Sequence, residues 1–149
     1  MIKRVFATDG SIAGTILRVA LGVVMFPHGA QKLLGMFGGP GLSASLKWFE
    51  SSFNVPVYLA LAAILAESVG AVALVAGFCT RLAALTIAMD MAVAVYLVHL
   101  KVGFFMNWMG SQKGEGYEFH ILAIAIALAL AIKGGGLWSV DRVLAGGKR

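Results

Sequence analysis

Arg18, Glu67 and Asp90 interrupt long apolar runs, and His28, Gln31, Lys32, His99 and His120 stand close to the ends of such runs. On insertion scales a charge in mid-membrane costs at least about 2.5 kcal/mol, so each of these groups needs a partner or a task. A carboxylate there can carry a proton or hold a polar headgroup. Lysine, imidazole and carboxyl groups beside an apolar pocket can hydrogen-bond carbonyl oxygens and exchange protons, which is the chemistry a quinone asks for. The same groups could equally form an interfacial layer that satisfies loop backbone and helix ends. Metal binding fits less well, although imidazole suits zinc, copper and iron. The chain has neither a His-x3-His nor a Glu-x2-His pair, and Glu118 and His120 point about 160° apart on a helix. No metal site is expected.

The elements that must position these groups follow from composition. Of 149 residues, 60% are hydrophobic and only 13% charged, with a mean hydropathy of +0.89. Soluble domains carry about 25% charged residues, so this chain is built for lipid. Its net charge of +5 comes from lysines and arginines at the edges of apolar runs. That is how topology determinants are placed, and no nucleic-acid partner is expected. The N-terminal Met-Ile-Lys-Arg precedes an apolar run too long for a signal peptide and without a clear small-x-small site, so it reads as a retained helix. A single cysteine, Cys79, excludes an intrachain disulfide.

Four apolar segments approach the roughly 20 residues that cross about 30 Å of hydrocarbon. They run over 11–34, 57–78, 82–100 and 117–138. The fourth has an apolar core of only 119–132 and reaches span length through Tyr117, Lys133 and Trp138. The expected fold is all-α: one integral-membrane domain over 1–149, arranged as a four-helix bundle. Leu46 to Phe53 is amphipathic and predicts a short interfacial helix in the first outer loop. Lys3, Arg4, Arg81, Lys133, Arg142, Lys148 and Arg149 fall on one side, and Lys32, Lys47, Lys101 and Lys113 on the other. The positive-inside rule then puts both termini in the cytoplasm.

Depth estimates bring Arg18 within about a turn of Glu67 and predict an ion pair between them, with Asp90 as a third member. Arg18, Gly22, Met25, Gly29 and Lys32 share one face of the first span; Ala60, Ala63, Glu67, Gly70, Leu74 and Gly77 share one face of the second. Small residues on such stripes let helices approach closely. Glu67 and Arg18 are the candidates for proton chemistry, or for a lock between two helices. At the outer level the topology gathers His28, Gln31, Lys32, His99, Asn107, Tyr117 and Glu118, the candidate ligand-binding cluster. His99 lies nine residues from Asp90, on the opposite face of a regular helix, so both point inward only if the helix ends or bends. Other motifs are structural: Gly38–Gly41 lacks the Gly-Lys-Ser/Thr of a phosphate loop, Gly134–Gly136 ends the fourth helix, and Cys79 is a small apolar residue.

The order and spacing of several fragments resemble the DoxX family of small bacterial and archaeal membrane proteins. They are Arg18, Gly22, Gly29 and Lys32, then Phe-Gly-Gly-Pro-Gly at 37–41, and Ala66, Glu67 and Gly70. Gly77, Thr80 and Arg81 follow, then Val98–Leu100, Gly103–Asn107, Gly116–Glu118, and Ser139 with Asp141. The resemblance extends from about Gly14 to Val143. It implies a four-span bundle in a plasma membrane, associated with quinone-linked oxidoreductase or thiol and superoxide homeostasis complexes. The polar positions it carries over are Arg18, Lys32, Glu67, His99, Asn107, Tyr117 and Glu118; Asp90, Ser111–Lys113 and His120 have no counterpart in the pattern. The chain shows no haem, flavin, iron–sulfur or dinucleotide motif, so a quinone or soluble redox partners would bring the redox centre. The alternative is a non-enzymatic membrane scaffold, an assembly partner or a small transporter. The glycine stripes are compatible with a homo-oligomer and with one compact bundle alike.

Overall fold

The computed structural model describes residues 6–147. Every regular element among them is helical. Helix α1 covers Ile12–Leu34, α2 Gly41–Phe53, α3 Val57–Ala76, α4 Thr80–His99, α5 Glu118–Lys133 and α6 Val140–Leu144. Helices α1, α3 and α4 are long and apolar enough to cross a membrane. Their outward residues are as apolar as their inward ones: Ile16, Val23, Val72, Met89 and Val93 are all exposed. A helix apolar on every side has lipid around it. This is a membrane protein.

Helix α5 has 16 residues, about 24 Å at 1.5 Å per residue, which falls short of the hydrocarbon thickness. The expected extension to Trp138 is not helical, because Gly134 closes α5 with a positive φ and the chain turns back. The helix expected in the first outer loop is α2, longer than its amphipathic centre. It is tied to α1 where Ser45 Oγ donates to the Lys32 carbonyl at 3.2 Å.

Helix α1 packs against α3 and α5, and α4 packs against α3 and α5. The shared core is Leu21, Met25, Leu74, Ile87, Met91 and Leu130, with Ala84, Ala123 and Ala127 letting α4 and α5 close up. Arg81, Lys133 and Asp141 gather at one end, the hairpin end, where Arg81 Nε donates to the Ala7 carbonyl at 3.0 Å and Lys133 stands 3.9 Å from Asp9. Lys3, Arg4, Lys148 and Arg149, on which the orientation argument also drew, lie outside the described residues.

Two glycines set the register of α1 on α3. A carbon added to Gly22 would lie 2.7 Å from the Ala71 carbonyl oxygen, and one added to Gly29 would lie 2.4 Å from the Ser68 nitrogen. Backbone therefore meets backbone at both points. This contact slides α3 by roughly two turns from the register obtained by aligning span ends. Glu67 thus sits opposite Gly29 and Ala30, well outward of Arg18. Gly29→Ala is expected to destabilise the protein by about 1–3 kcal/mol through overpacking, measured as a lowered thermal midpoint in detergent. Gly70→Ala, where the added carbon meets nothing closer than 3.7 Å, should melt close to the wild type.

Candidate functional site

The altered register corrects the expected ion pair. Arg18 does not reach Glu67. Arg18 as a whole is 2% exposed, and its guanidinium donates to backbone carbonyls at the hairpin end: Nε to Gly135 at 2.8 Å, Nη1 to Leu74 at 3.1 Å and to Val75, and Nη2 to Trp138 at 2.7 Å and Leu137 at 3.4 Å. Leu74 and Val75 belong to the last turn of α3, whose carbonyls lack the usual partner four residues on; Leu74 accepts in addition from the Gly77 nitrogen at 3.0 Å. Arg18 therefore stitches the end of α3 to the glycine-rich return after α5. Asp141 completes this knot by accepting from the Cys79 nitrogen at 2.7 Å and the Thr80 nitrogen at 2.8 Å, capping the start of α4. Burial, and then the Asp141 carboxylate, push the Cys79 thiol above its usual range. Cys79 is accordingly a poor nucleophile at neutral pH.

The partner of Glu67 is Lys32, whose Nζ donates to Glu67 Oε2. Asp90, from α4, lines the same cavity as this pair. These three groups sit on the wall of a cavity of about 700 Å³ at the end opposite the hairpin. Beside it the Val57–Leu65 stretch of α3 packs on α1 and α2, while the inner part of α3 packs on α4. The outer halves of α3 and α4 therefore diverge, and the cavity fills the gap. Leu59 and Ala62 on one side and Met89 and Val93 on the other both line it and lie exposed on the outer surface. Its mouth consequently opens toward lipid. Trp48 and Phe49 of α2, with Val55 and Met106, line its outer rim.

Both helices that frame the mouth contain a π turn, Ala66–Gly70 in α3 and Val95–His99 in α4. Such turns insert one extra residue and recur at functional sites. The one in α4 resolves the conflict between Asp90 and His99. It rotates the helix back by about one residue, leaving the two side chains roughly 80° apart rather than opposed, and both line the cavity. His99 Nδ1 donates to the Glu115 carbonyl at 2.7 Å; a carbonyl only accepts, which fixes that proton on Nδ1. The His99 and His120 rings stand 4.0 Å apart between centroids, and His28 faces Phe119 at 6.2 Å. All three histidines line the cavity. Among the described residues no cluster of three or more His, Cys, Asp or Glu side chains could hold a metal ion.

Of the residues proposed from sequence, His28, Lys32, Glu67 and His99 meet at this cavity, and Gln31, Asn107, Tyr117 and Glu118 do not line it. The latter four build its surroundings. Gln31 Nε2 donates to the Phe37 carbonyl at 3.3 Å. Asn107 pairs with the Gln112 backbone through both side-chain atoms, so the Ser111–Lys113 segment is part of a closed loop. Glu118 Oε1 accepts from the Met106 nitrogen at 2.9 Å and from Trp108 Nε1 at 3.2 Å. The Tyr117 ring meets Phe104 edge to face. Asp90 and His120 are the additions, and each brings a buried side-chain atom, Oδ2 and Nδ1, that has no hydrogen-bond partner among the described residues. From sequence, Asp90 is expected beside Glu67, and His120 at the depth of the other two histidines, but neither belongs to the expected ligand-binding cluster.

The sequence profile of the DoxX family matches residues 13–100, more than half of the chain. The chain belongs to the DoxX family. The matched part of this DoxX protein contains Arg18, Lys32, Glu67, Asp90 and His99, together with both π turns. Over 138 residues it is 28% identical to a Bacillus subtilis (strain 168) protein named "Putative oxidoreductase CatD", covering 93% of this chain and 91% of that one. No solved structure matches the DoxX chain.

Proposed function

We propose that this protein is a membrane subunit of a quinone-linked oxidoreductase or redox-homeostasis complex, and that the cavity between α3 and α4 is its quinone site. The observation that carries this is the cavity itself. It has apolar walls, a mouth facing lipid, and the Lys32–Glu67 pair with Asp90 set into its wall. Its volume falls within the roughly 300–1,000 Å³ usual for small-molecule sites. A quinone supplies reversible two-electron, two-proton chemistry when bound. The chain's own groups would bind and orient it: Lys32, Glu67 and Asp90 at the deep end, and His28, His99 and His120 toward the outer face. Trp48, Phe49 and Phe119 would exclude water. Electrons would come from soluble redox partners. The name of the Bacillus subtilis relative, "Putative oxidoreductase CatD", supports the same class.

In this reading α5 completes a four-span bundle in a bacterial or archaeal plasma membrane. Arg81, Lys133 and Arg142 at the hairpin end favour a cytoplasmic position for that end and for both termini. The cavity then lies near the outer face. The test is solvent extraction and mass analysis of the purified protein, with phospholipid counted in the same sample. Quinone retained at about one per chain after delipidating washes is the expected result. Phospholipid alone, with no uptake of added quinone, would favour a scaffold or a transporter.

A further inference from the structure

We propose that the Lys32 ammonium is the group that takes the ligand's carbonyl oxygen, and that Glu67 is the positioning residue that holds it in place. The proposal rests on the quinone reading of the cavity and adds the atom that binds the headgroup.

Lys32 follows Gly29 by three residues, so the two share one face of α1. A carbon added to Gly29 would lie 2.5 Å from the Glu67 carbonyl carbon, and that close approach brings Lys32 beside the Glu67 side chain. Ser45 Oγ, from α2, donates to the Lys32 carbonyl at 3.2 Å. The root of the side chain is therefore held by α2 and α3 together. Its tip is held by the bond from Nζ to Glu67 Oε2. A lysine fixed at both ends has already lost the rotamer freedom that binding would otherwise cost.

The supply of donors then favours Lys32. An ammonium carries three N–H groups, and Glu67 is the one partner of Nζ among the described residues. Two N–H groups remain. The pair is also unequal in exposure: the Lys32 side chain keeps 27% of its surface and Glu67 only 9%. Both line the cavity, so the member with donors to spare is the member that a ligand can touch.

A quinone carbonyl can only accept. The unpartnered Asp90 Oδ2 and His120 Nδ1 are buried within the wall. Thr86 Oγ1 donates to the Ala83 carbonyl at 2.9 Å, and His99 Nδ1 to the Glu115 carbonyl at 2.7 Å. His28, one turn before Lys32, offers an uncharged N–H as a neutral imidazole. A hydrogen bond from a charged donor is about twice as strong as one between neutral groups. Glu67 keeps the lysine charge balanced throughout, so the ligand meets a donor and not a bare charge.

Lys32→Met combined with Glu67→Met removes the donor without stranding a charge. Affinity for a decyl-tailed ubiquinone analogue is measured in lipid nanodiscs. Infrared difference spectra, with carbon-13 at either ring carbonyl, read each carbonyl stretch of the bound ligand. In wild type one carbonyl should absorb below its frequency in the free quinone. The double variant should bind at least about tenfold more weakly, and what it binds should lack the lowered band. If it does not fold, Lys32→Arg decides. Arginine keeps a cation on Glu67 with N–H groups to spare, so binding should persist with the lowered band moved to a new frequency. Three results would each overturn the proposal: no lowered carbonyl in wild type, unchanged affinity or a surviving lowered band in the double variant, or an unmoved band in Lys32→Arg. In all three the bound quinone would leave the proposed function standing. A wild type that takes up no quinone would overturn the proposed function, and the anchoring role with it.

Discussion

Arg18→Ala is expected to remove most folded protein from the membrane fraction, and the remainder should melt well below wild type in detergent. The guanidinium donates to carbonyls of Leu74, Val75, Gly135, Leu137 and Trp138; alanine would strip Val75, Gly135 and Trp138 of this donor, while Leu74 keeps the Gly77 nitrogen and Leu137 the Thr15 hydroxyl. A single buried polar group deprived of its partner costs about 1–3 kcal/mol, so losing several at once outweighs what an ordinary substitution does. Arg18→Lys offers three donors on a point-like head and cannot fan out to five acceptors; it should fall between alanine and wild type. Quinone affinity, measured on whatever folds, should be unchanged, since Arg18 does not line the cavity. A stable Arg18→Ala protein that has lost only ligand binding would return Arg18 to the chemistry and remove it from the architecture.

Lys32→Met should have the second largest effect, of a different kind. It strands Glu67 on the cavity wall without its cation. Removing one member of a buried pair costs about 3–5 kcal/mol, while replacing both members by apolar groups is often neutral. The single variant should therefore be strongly destabilised, and Lys32→Met combined with Glu67→Met should recover most of the stability. Binding should behave otherwise: both proteins should lose at least about tenfold in quinone affinity, because the polar end of the cavity is gone in each. Thermal midpoints and quinone titrations on the same preparations check this. Recovery of both properties in the double variant would make the pair a packing device only.

Much of the architecture was legible because it is written in hydropathy and small residues. The α3–α4 hairpin, α2, and the close approach at Gly29 all follow from such signals. The partner of Glu67 was not legible. Span ends define depth only loosely, and the true register is set by backbone contacts at Gly22 and Gly29, which moved Glu67 from Arg18 to Lys32. The acceptors of Arg18 are backbone carbonyls, and these carry no residue signature. Hydropathy is equally blind to π turns, so the inward turn of His99 alongside Asp90 could be posed only as a condition on the helix. Asp90 and His120 stood outside the DoxX pattern, and only the packing of α4 and α5 brings them to the cavity.

The central claim is that the cavity between α3 and α4 takes a quinone from the bilayer. Its most direct test is a fluorescence titration of nanodisc-embedded protein with a decyl-tailed quinone, comparing wild type with Ala63→Phe. Ala63 lines the cavity, and Trp48 on its rim is the reporter. Saturable quenching at about one quinone per chain is expected for wild type. The phenylalanine should weaken it by at least about tenfold with little change in melting. Quenching that never saturates, or that saturates identically in both proteins, would contradict the account.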